Sequence, residues 1–148
     1  LVSDQIIGRA AEVRAVDDWK ATTLAEATAI RDALLAFRDG AEVVSSTLAL
    51  GLGADGALAR IRVGIDAVCP DVEMARIASE SILFLILGQV WHEQQRMQAD
   101  SLGVVSPAVA SSPADASVLH GRIDSLATGI GLILDGLEKK LTLNNESR

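Results

Sequence analysis

The residues of this sequence that could do chemistry are few. There are two histidines, one cysteine and no tyrosine among the 148 residues. His92 and Glu93 are residue types that bind metals, but a helical di-iron bundle needs Glu-x-x-His repeats, and neither histidine has a glutamate three residues before it. Cys69 has no second cysteine for a disulfide, which favours a reducing compartment. The sequence therefore predicts neither an enzyme nor a protein with a metal or cofactor.

One glycine-rich motif has a known chemical use. Residues 51–56, Gly-Leu-Gly-Ala-Asp-Gly, match the G-x-G-x-x-G pattern that binds the pyrophosphate of dinucleotides. Such a site requires the motif to lie between a strand and a helix, inside a β-α-β unit. The next apolar segments, residues 58–68 and those from Val72 onward, both have helical spacing. We therefore expect a loop between two helices rather than a dinucleotide site.

Composition and charge limit the fold and the direct partners. Hydrophobic residues make up 49% of the chain, but aromatic residues only 3%. Apolar volume supplied mostly by Ala, Leu, Ile and Val suits packed helices better than a β-sandwich. The net charge is −7, and no cluster of Lys and Arg is present to neutralise phosphates. We predict a single all-α domain over residues 1–148 that does not itself bind nucleic acid.

The densest apolar stretch, residues 82–91, lies inside a proline-free segment over residues 71–98 that predicts one long helix. The stretch is apolar all round for nearly three turns, so several sides must be covered. A membrane span would need about 20 apolar residues, and Glu80, Gln89 and His92 bracket or interrupt a shorter run. We predict a central helix that faces its own core on one side and a partner helix on the other.

Apolar spacing and capping residues predict the helices before the central one. A first helix ends near Ala15, and Asp17 or Asp18 then offers the N-cap of a second helix. Gly40 is predicted to end that second helix by adopting the left-handed conformation. Residues 41–50 fit either a short helix or a strand, so both alternatives stay open.

After the central helix, residues 99–116 are rich in Ser, Ala, Pro and Val and predict a long mobile loop. A last helix follows over about residues 117–141, with apolar residues at spacings of three and four. Its interior contains Gly121, Gly129 and Gly136, each of which costs about 1 kcal/mol relative to alanine. Such glycines indicate a place where another backbone comes close.

Three stretches together resemble the ligand-binding and dimerisation domain of the TetR family of transcription regulators, to which the tetracycline repressor belongs. They cover most of the chain in the family's order and spacing. They are Trp19 with Ala33-Leu34-Leu35 and Arg38-Asp39-Gly40-Ala41, then Leu87-Gly88, Val90 and His92-Glu93-Gln94-Gln95, and finally Gly129, Leu132-Ile133, Gly136-Leu137-Glu138-Lys139 and Leu141.

The resemblance implies an all-helical, cytoplasmic regulator that forms a homodimer. The central and last helices of two subunits would build an intersubunit four-helix bundle. DNA would be bound only through an N-terminal helix-turn-helix module that precedes this chain, with residues 1–16 as the lever helix. The dimer interface would contain Trp91, Gly129, Leu132, Ile133 and Gly136.

A small effector would bind in a helical tunnel. Val44 stands where the tetracycline repressor has a magnesium-ligating histidine, and His92 where it has an acidic residue that holds a magnesium-bound water. The absence of this direct magnesium ligand argues against an effector that is a metal-bound tetracycline, because the apolar side chain of Val44 cannot form a coordinate bond. The resemblance therefore implies an amphipathic, drug-like or antibiotic-like effector. Its site would contain Glu26, Ile30, Val44, Thr47, Leu48, Arg60, Ile61, Ser79, Leu83 and His92.

Two other classes of protein remain as alternatives. A helical scaffold or interaction module would have the same composition without a small-molecule site. A bundle enzyme would need a bound metal. For Ile30, Ile61 and Leu83, plain core packing explains the sequence as well as ligand contact does. Burial of Glu26 or Arg60, by contrast, would need a partner.

Overall fold

The computed structural model describes residues 2–13, 17–53, 55–103 and 114–146, and the side chains of all of these except 114–124. The described residues contain helices and turns but no strand. The fold is therefore all-α, as predicted. Its helices are α1 (Val2–Ile7), α2 (Trp19–Leu35), α3 (Gly40–Ala49), α4 (Asp55–Asp66), α5 (Val72–Ser101) and α6 (Ala114–Glu146).

Helix α1 is shorter than the sequence predicts. It ends at Ile7 rather than near Ala15, and a turn follows in which Ala10 N–H donates to the carbonyl of Ile7 at 3.0 Å. The carbonyl oxygens of Ala10 and Ala11 accept hydrogen bonds from the guanidinium of Arg60. In a continued helix these carbonyls would accept from amides four residues later. The predicted lever helix over residues 1–16 is therefore wrong for 8–13, and residues 1 and 14–16 lie outside the described part.

Helix α2 begins as predicted but ends earlier. The Asp18 carboxylate accepts hydrogen bonds from the amides of Lys20 and Ala21, which satisfies two free N–H groups of the first turn. The helix ends at Leu35, and Gly40 is the first residue of α3. The prediction that Gly40 ends α2 in the left-handed conformation is wrong. Glycine is required there because a Cβ would collide with the Leu34 carbonyl oxygen.

The ambiguous segment over residues 41–50 is helical, because it lies within α3 up to its C-cap. The glycine-rich motif that follows connects α3 to α4, as predicted. Gly51 and Gly53 have positive φ values of 69° and 62°, which glycine adopts without steric cost. Residues 51–53 of the motif therefore lie between the two helices, and Asp55 and Gly56 already belong to α4.

Helix α5 is the central helix, and the Asp71 carboxylate caps it by accepting from the amides of Glu73 and Met74. By length and composition alone α5 could cross a membrane, so the length argument against a span is wrong. Core helices of soluble proteins pass the same test, and α5 packs against α2, α3, α4 and α6. Its buried residues are Ala75, Ala78, Ser79, Ile82, Leu83, Ile86, Leu87, Val90 and Gln94.

Helix α6 completes the core by packing against α5 and α2. The prediction of a loop over residues 99–116 is wrong at both ends, because residues 99–101 belong to α5 and residues 114–116 to α6. The rest of that prediction, residues 104–113, lies outside the described residues. The described buried face of α6 contains Leu126, Ile130, Leu134 and Leu137, which join the same hydrophobic cluster as α2, α4 and α5. One core therefore unites the described helices.

Candidate functional site

Five of the predicted effector residues lie at the centre of the core. Ile30, Val44, Ile61, Ser79 and Leu83 have exposed fractions of at most 1%. The hydroxyl of Ser79 donates to the Ala75 carbonyl at 2.6 Å, so its polar group is satisfied within α5. These residues come from α2, α3, α4 and α5, the elements expected to line a tunnel. In this structure their side chains fill that space as core.

Glu26 and Arg60 are brought together as an ion pair between α2 and α4. Arg60 Nε donates to Glu26 Oε2 at 2.7 Å, and the exposed fractions of the two side chains are 23% and 10%. Arg60 also donates to the carbonyls of Ala10 and Ala11. Because the two charges neutralise each other, the burial of Glu26 is explained without a ligand. The pair nevertheless joins the same two helices that carry Ile30 and Ile61.

Two further predicted effector residues lie on α3. Thr47 is half-buried, and its hydroxyl donates to the carbonyl of Val44 at 2.9 Å. Leu48 lies in a groove of about 350 Å³ between α3 and α5. The groove is also lined by Ser45, Ala49, Phe84, Leu87 and Gly88.

His92 is exposed on the surface of α5. Its ring contacts the Trp91 ring edge-to-face, with centroids 5.0 Å apart. The structure thus places nine of the predicted effector residues in or beside the core and His92 on the surface.

The predicted interface residues lie on α5 and α6. Trp91 is 43% exposed and Leu132 is 70% exposed, while Gly136 is exposed and Ile133 is half-buried. Gly129 contacts the other helix of the same chain, because a Cβ there would lie 2.9 Å from Leu85 Cδ2. Gly129 therefore allows α5 and α6 to approach each other within one subunit.

The exposed apolar residues of these two helices form one uncovered surface, which we call the α5/α6 face. Helices α5 and α6 are antiparallel, since Leu85 meets Gly129 and Gln89 Nε2 lies 3.4 Å from Ser125 Oγ. Exposed residues border that contact at helical spacing on both helices. The face consists of Ile77, Phe84, Gly88 and Trp91 of α5 with Leu132 and Gly136 of α6.

Sequence reasoning missed two polar links that hold α5 in place. Apolar spacing along α2 places Arg31 on the polar side of that helix, opposite Trp19 and Ile30, but Arg31 is buried, and its Nη2 donates to Glu93 Oε2 at 2.8 Å. Gln94 is 4% exposed, and its amide nitrogen donates to the Leu34 carbonyl at 3.1 Å and the Phe37 carbonyl at 2.7 Å. The Gln94 side chain thereby satisfies carbonyls that the end of α2 leaves free. The spacing of Gln94 could have revealed this link. Gln94 lies four positions after Val90, on the same side of α5 as the buried apolar residues.

The surface charges join α6 to α2. Lys20 Nζ lies 2.7 Å from both Asp135 Oδ1 and Glu138 Oε2. The hydrogen bond to Asp135 has the largest effect on the pKa of Lys20, and the hydrogen bond to Glu138 the next largest. Both raise that pKa above its ordinary value of 10.5. On α5, the hydrogen bond from Arg76 lowers the pKa of Glu73. Lys20 is partly exposed and its carboxylate partners are exposed, as is the Glu73–Arg76 pair, so these ion pairs contribute little to stability.

Metal chemistry has no visible basis in the part of the chain that the structure describes. Within it, no group of three or more His, Cys, Asp and Glu side chains is arranged to hold a metal ion. The features that the described residues do offer are the Glu26–Arg60 ion pair, the groove beside Leu48 and the α5/α6 face.

Comparison with known proteins agrees with this description. No protein-family model matches the chain, and no curated protein gives a significant match. The crystal structure of Mycobacterium smegmatis BioQ is similar, with a TM-score of 0.71 and 25% identity over 92% of this chain and 69% of BioQ. BioQ with its natural double-stranded DNA operator is also similar, with a TM-score of 0.59 and 25% identity over 85% of this chain and 68% of BioQ.

The chain therefore has a TetR-like, all-helical fold. Its structural neighbours are transcription repressors and not enzymes, which supports a role as a regulator. The prediction that the chain is not an enzyme is confirmed by that similarity.

Proposed function

We propose that this chain is the effector-binding and homodimerisation part of a cytoplasmic TetR-like transcription repressor, related in design to the tetracycline repressor. DNA would be bound through an N-terminal module that precedes Leu1, and a small amphipathic effector would bind among α2, α3, α4 and α5. The similarity to BioQ supports the regulator class.

The α5/α6 face is the observation that carries the proposed dimer. A monomeric protein rarely exposes a contiguous apolar patch of large side chains, because leaving them in water forgoes about 25 cal/mol for each Å² of apolar surface. Phe84, Trp91 and Leu132 are 58%, 43% and 70% exposed. A second copy would cover them with the same surface, as a two-fold interface requires. Gly88 and Gly136 would let the two backbones approach.

The division between this chain and a DNA-binding module rests on charge. The chain carries a net charge of −7, which disfavours contact with the phosphate backbone. BioQ has been crystallised with its operator. We propose that the corresponding contacts of this protein are made by a module outside these 148 residues.

The effector site is proposed between the Glu26–Arg60 pair and the apolar core residues Ile30, Ile61 and Leu83. Such a region combines one polar end with an apolar body, which suits an amphipathic molecule. The core residues occupy the space in the described structure, so binding requires them to shift. This requirement keeps the helical scaffold without a small-molecule site as a second candidate.

Sedimentation at micromolar concentration tests the dimer. We expect the unmodified chain to sediment as a dimer and Leu132→Lys to weaken association by roughly 100-fold or more, since it places a charge at the centre of an apolar interface. Val63→Lys on α4 is the matched control, because Val63 is 53% exposed but lies off the α5/α6 face. A monomeric unmodified chain would overturn the proposal.

A thermal-shift screen of lipophilic drugs and antibiotics separates the effector site from the scaffold alternative. A true site raises the melting temperature by mass action with at least one compound. A shift that disappears in Leu83→Trp, which fills the core further, would locate the site. A dimer that shows no shift with any compound favours the scaffold.

A further inference from the structure

Arg60 contacts two separate parts of the chain at once. Its Nε donates to Glu26 on α2, and its two terminal nitrogens donate to the carbonyls of Ala10 and Ala11, which follow α1. The planar guanidinium group therefore donates hydrogen bonds to three acceptors. One side chain of α4 thereby ties α2 to the segment that follows α1.

Packing holds this segment through small side chains. Ala10 is buried with Ala29 and Ala33 of α2, and Val13 is partly buried against them. Alanine methyl groups bury little apolar area, so their transfer free energy is small. The Arg60 hydrogen bonds thus give Ala10 and Ala11 a directional attachment to α4 that these apolar contacts do not supply.

We infer that Arg60 is a positioning residue that couples the spacing of α2 and α4 to the position of residues 10–13, which follow α1. Widening the gap between Glu26 and Arg60 moves the guanidinium away from the Ala10 and Ala11 carbonyls. The segment after α1 is then released. This inference rests on the proposed function for its biological role, in which an effector between α2 and α4 would widen that gap.

The geometry gives the coupling a direction. Glu26 is 7% exposed and lies on α2, whereas the two carbonyls belong to a segment held by small apolar contacts. An ionised carboxylate buried to this degree keeps its cationic partner, because an uncompensated buried charge is costly. Neutral carbonyls can exchange a lost donor for water. When the guanidinium moves, the weaker contacts to Ala10 and Ala11 therefore break first.

Amide hydrogen exchange of Arg60→Lys tests the coupling. A lysine at this position keeps the positive charge near Glu26, but its single ammonium group cannot also serve both carbonyls. We expect roughly tenfold faster exchange at the amides of Gly8, Arg9 and Ala10, which donate to carbonyls within residues 4–7. Amides of α5 should exchange at the unmodified rate. Arg62→Lys is the matched control, because Arg62 forms its ion pair with Asp66 of the same helix.

The outcomes are decisive in both directions. Local acceleration confined to residues 2–13 supports the coupling. Unchanged exchange there, or equal acceleration across α5, overturns it, since equal acceleration reports global destabilisation. Should Arg60→Lys fail to fold, Arg60→Gln provides the same readout, because a single side-chain amide group cannot replace the guanidinium at both carbonyls. Sedimentation of the same samples distinguishes a failure of the proposed dimer from a failure of the coupling, because Arg60 lies on α4 and not on the α5/α6 face.

Discussion

The two sides of α5 differ in what covers them and hardly at all in residue type. On one side Ile82, Ile86 and Val90 are fully buried against other helices. On the other side Ile77 and Phe84 are 47% and 58% exposed. Hydrophobicity along the helix cannot distinguish these two sides, because both are apolar. The difference shows that this chain leaves part of the apolar surface of α5 uncovered.

The largest expected effect comes from truncating isoleucine on each side of α5. Ile86→Ala should lower the free energy of unfolding by about 3 kcal/mol, since it removes buried methylene groups and leaves a cavity. Ile77→Ala should change it by less than about 0.5 kcal/mol at concentrations where the chain is monomeric. Urea unfolding followed by circular dichroism measures both values.

The same two variants also test whether the exposed side of α5 is covered by a second copy of the chain. If Ile77→Ala costs as much as Ile86→Ala at every protein concentration, then the exposed side is covered within a single subunit. If the cost of Ile77→Ala instead grows as the protein concentration rises, a second copy covers it.

A smaller effect is expected from glycine replacement on α6. In the single chain a Cβ at Gly136 or Gly131 would meet no atom within 4 Å. Replacing either glycine by alanine should therefore stabilise the monomer by up to about 1 kcal/mol through helix propensity. Gly136 lies on the α5/α6 face and Gly131 does not. We expect Gly136→Ala alone to weaken dimerisation, as measured by sedimentation equilibrium.

Gly131→Ala serves as the control for helix propensity. Equal dimer affinities for the two alanine variants would contradict the idea that backbones approach closely at Gly136. In that case Leu132 and Trp91 could still form an interface, but with the helices held farther apart.

The smallest effect concerns the contact between α6 and α2, where Lys20 pairs with Asp135 and Glu138. Because its pKa is raised in the folded state, the stability that Lys20 contributes is fully present below its ordinary pKa of 10.5 and is lost as the pH rises through the raised value. We expect the urea midpoints of the unmodified chain and Lys20→Met to differ slightly at pH 8 and to converge as the pH rises through the raised pKa of Lys20. Added salt should also reduce the difference. A difference that is independent of both would contradict an electrostatic link.

Much of the fold could be predicted from sequence, because its signals are local. Asp18 and Asp71 cap α2 and α5, and apolar spacing identifies the helices themselves. The end of α1 could not be predicted, since the segment after it is bound by Arg60, which lies about 50 residues later in the chain. The expectation for Gly40 is wrong because glycine serves equally at a helix end and at a close backbone approach. Only the neighbouring Leu34 carbonyl distinguishes the two uses.

The candidate site is less predictable for the same reason. Apolar side chains such as those of Ile30, Ile61 and Leu83 occur in a packed core and in a ligand pocket alike. Residue type therefore does not show which of the two these residues form. Arg31 is expected in solvent because its helical position borders the polar side of α2. Its burial follows from Glu93, which α5 brings to it over a long sequence separation. Such pairings become visible only when the helices are packed together.

Gly64 has a consequence for any natural variant of this chain. A Cβ at Gly64 would collide with the Thr23 hydroxyl and the Trp19 carbonyl, so α2 and α4 touch at this point with no room for a side chain. Because the Trp19 carbonyl belongs to the backbone, no smaller side chain on α2 can make room, and any larger residue at position 64 must change the crossing of the two helices. Glycine at position 64 would thus identify descendants that keep the same helix crossing, even where the rest of α4 has diverged.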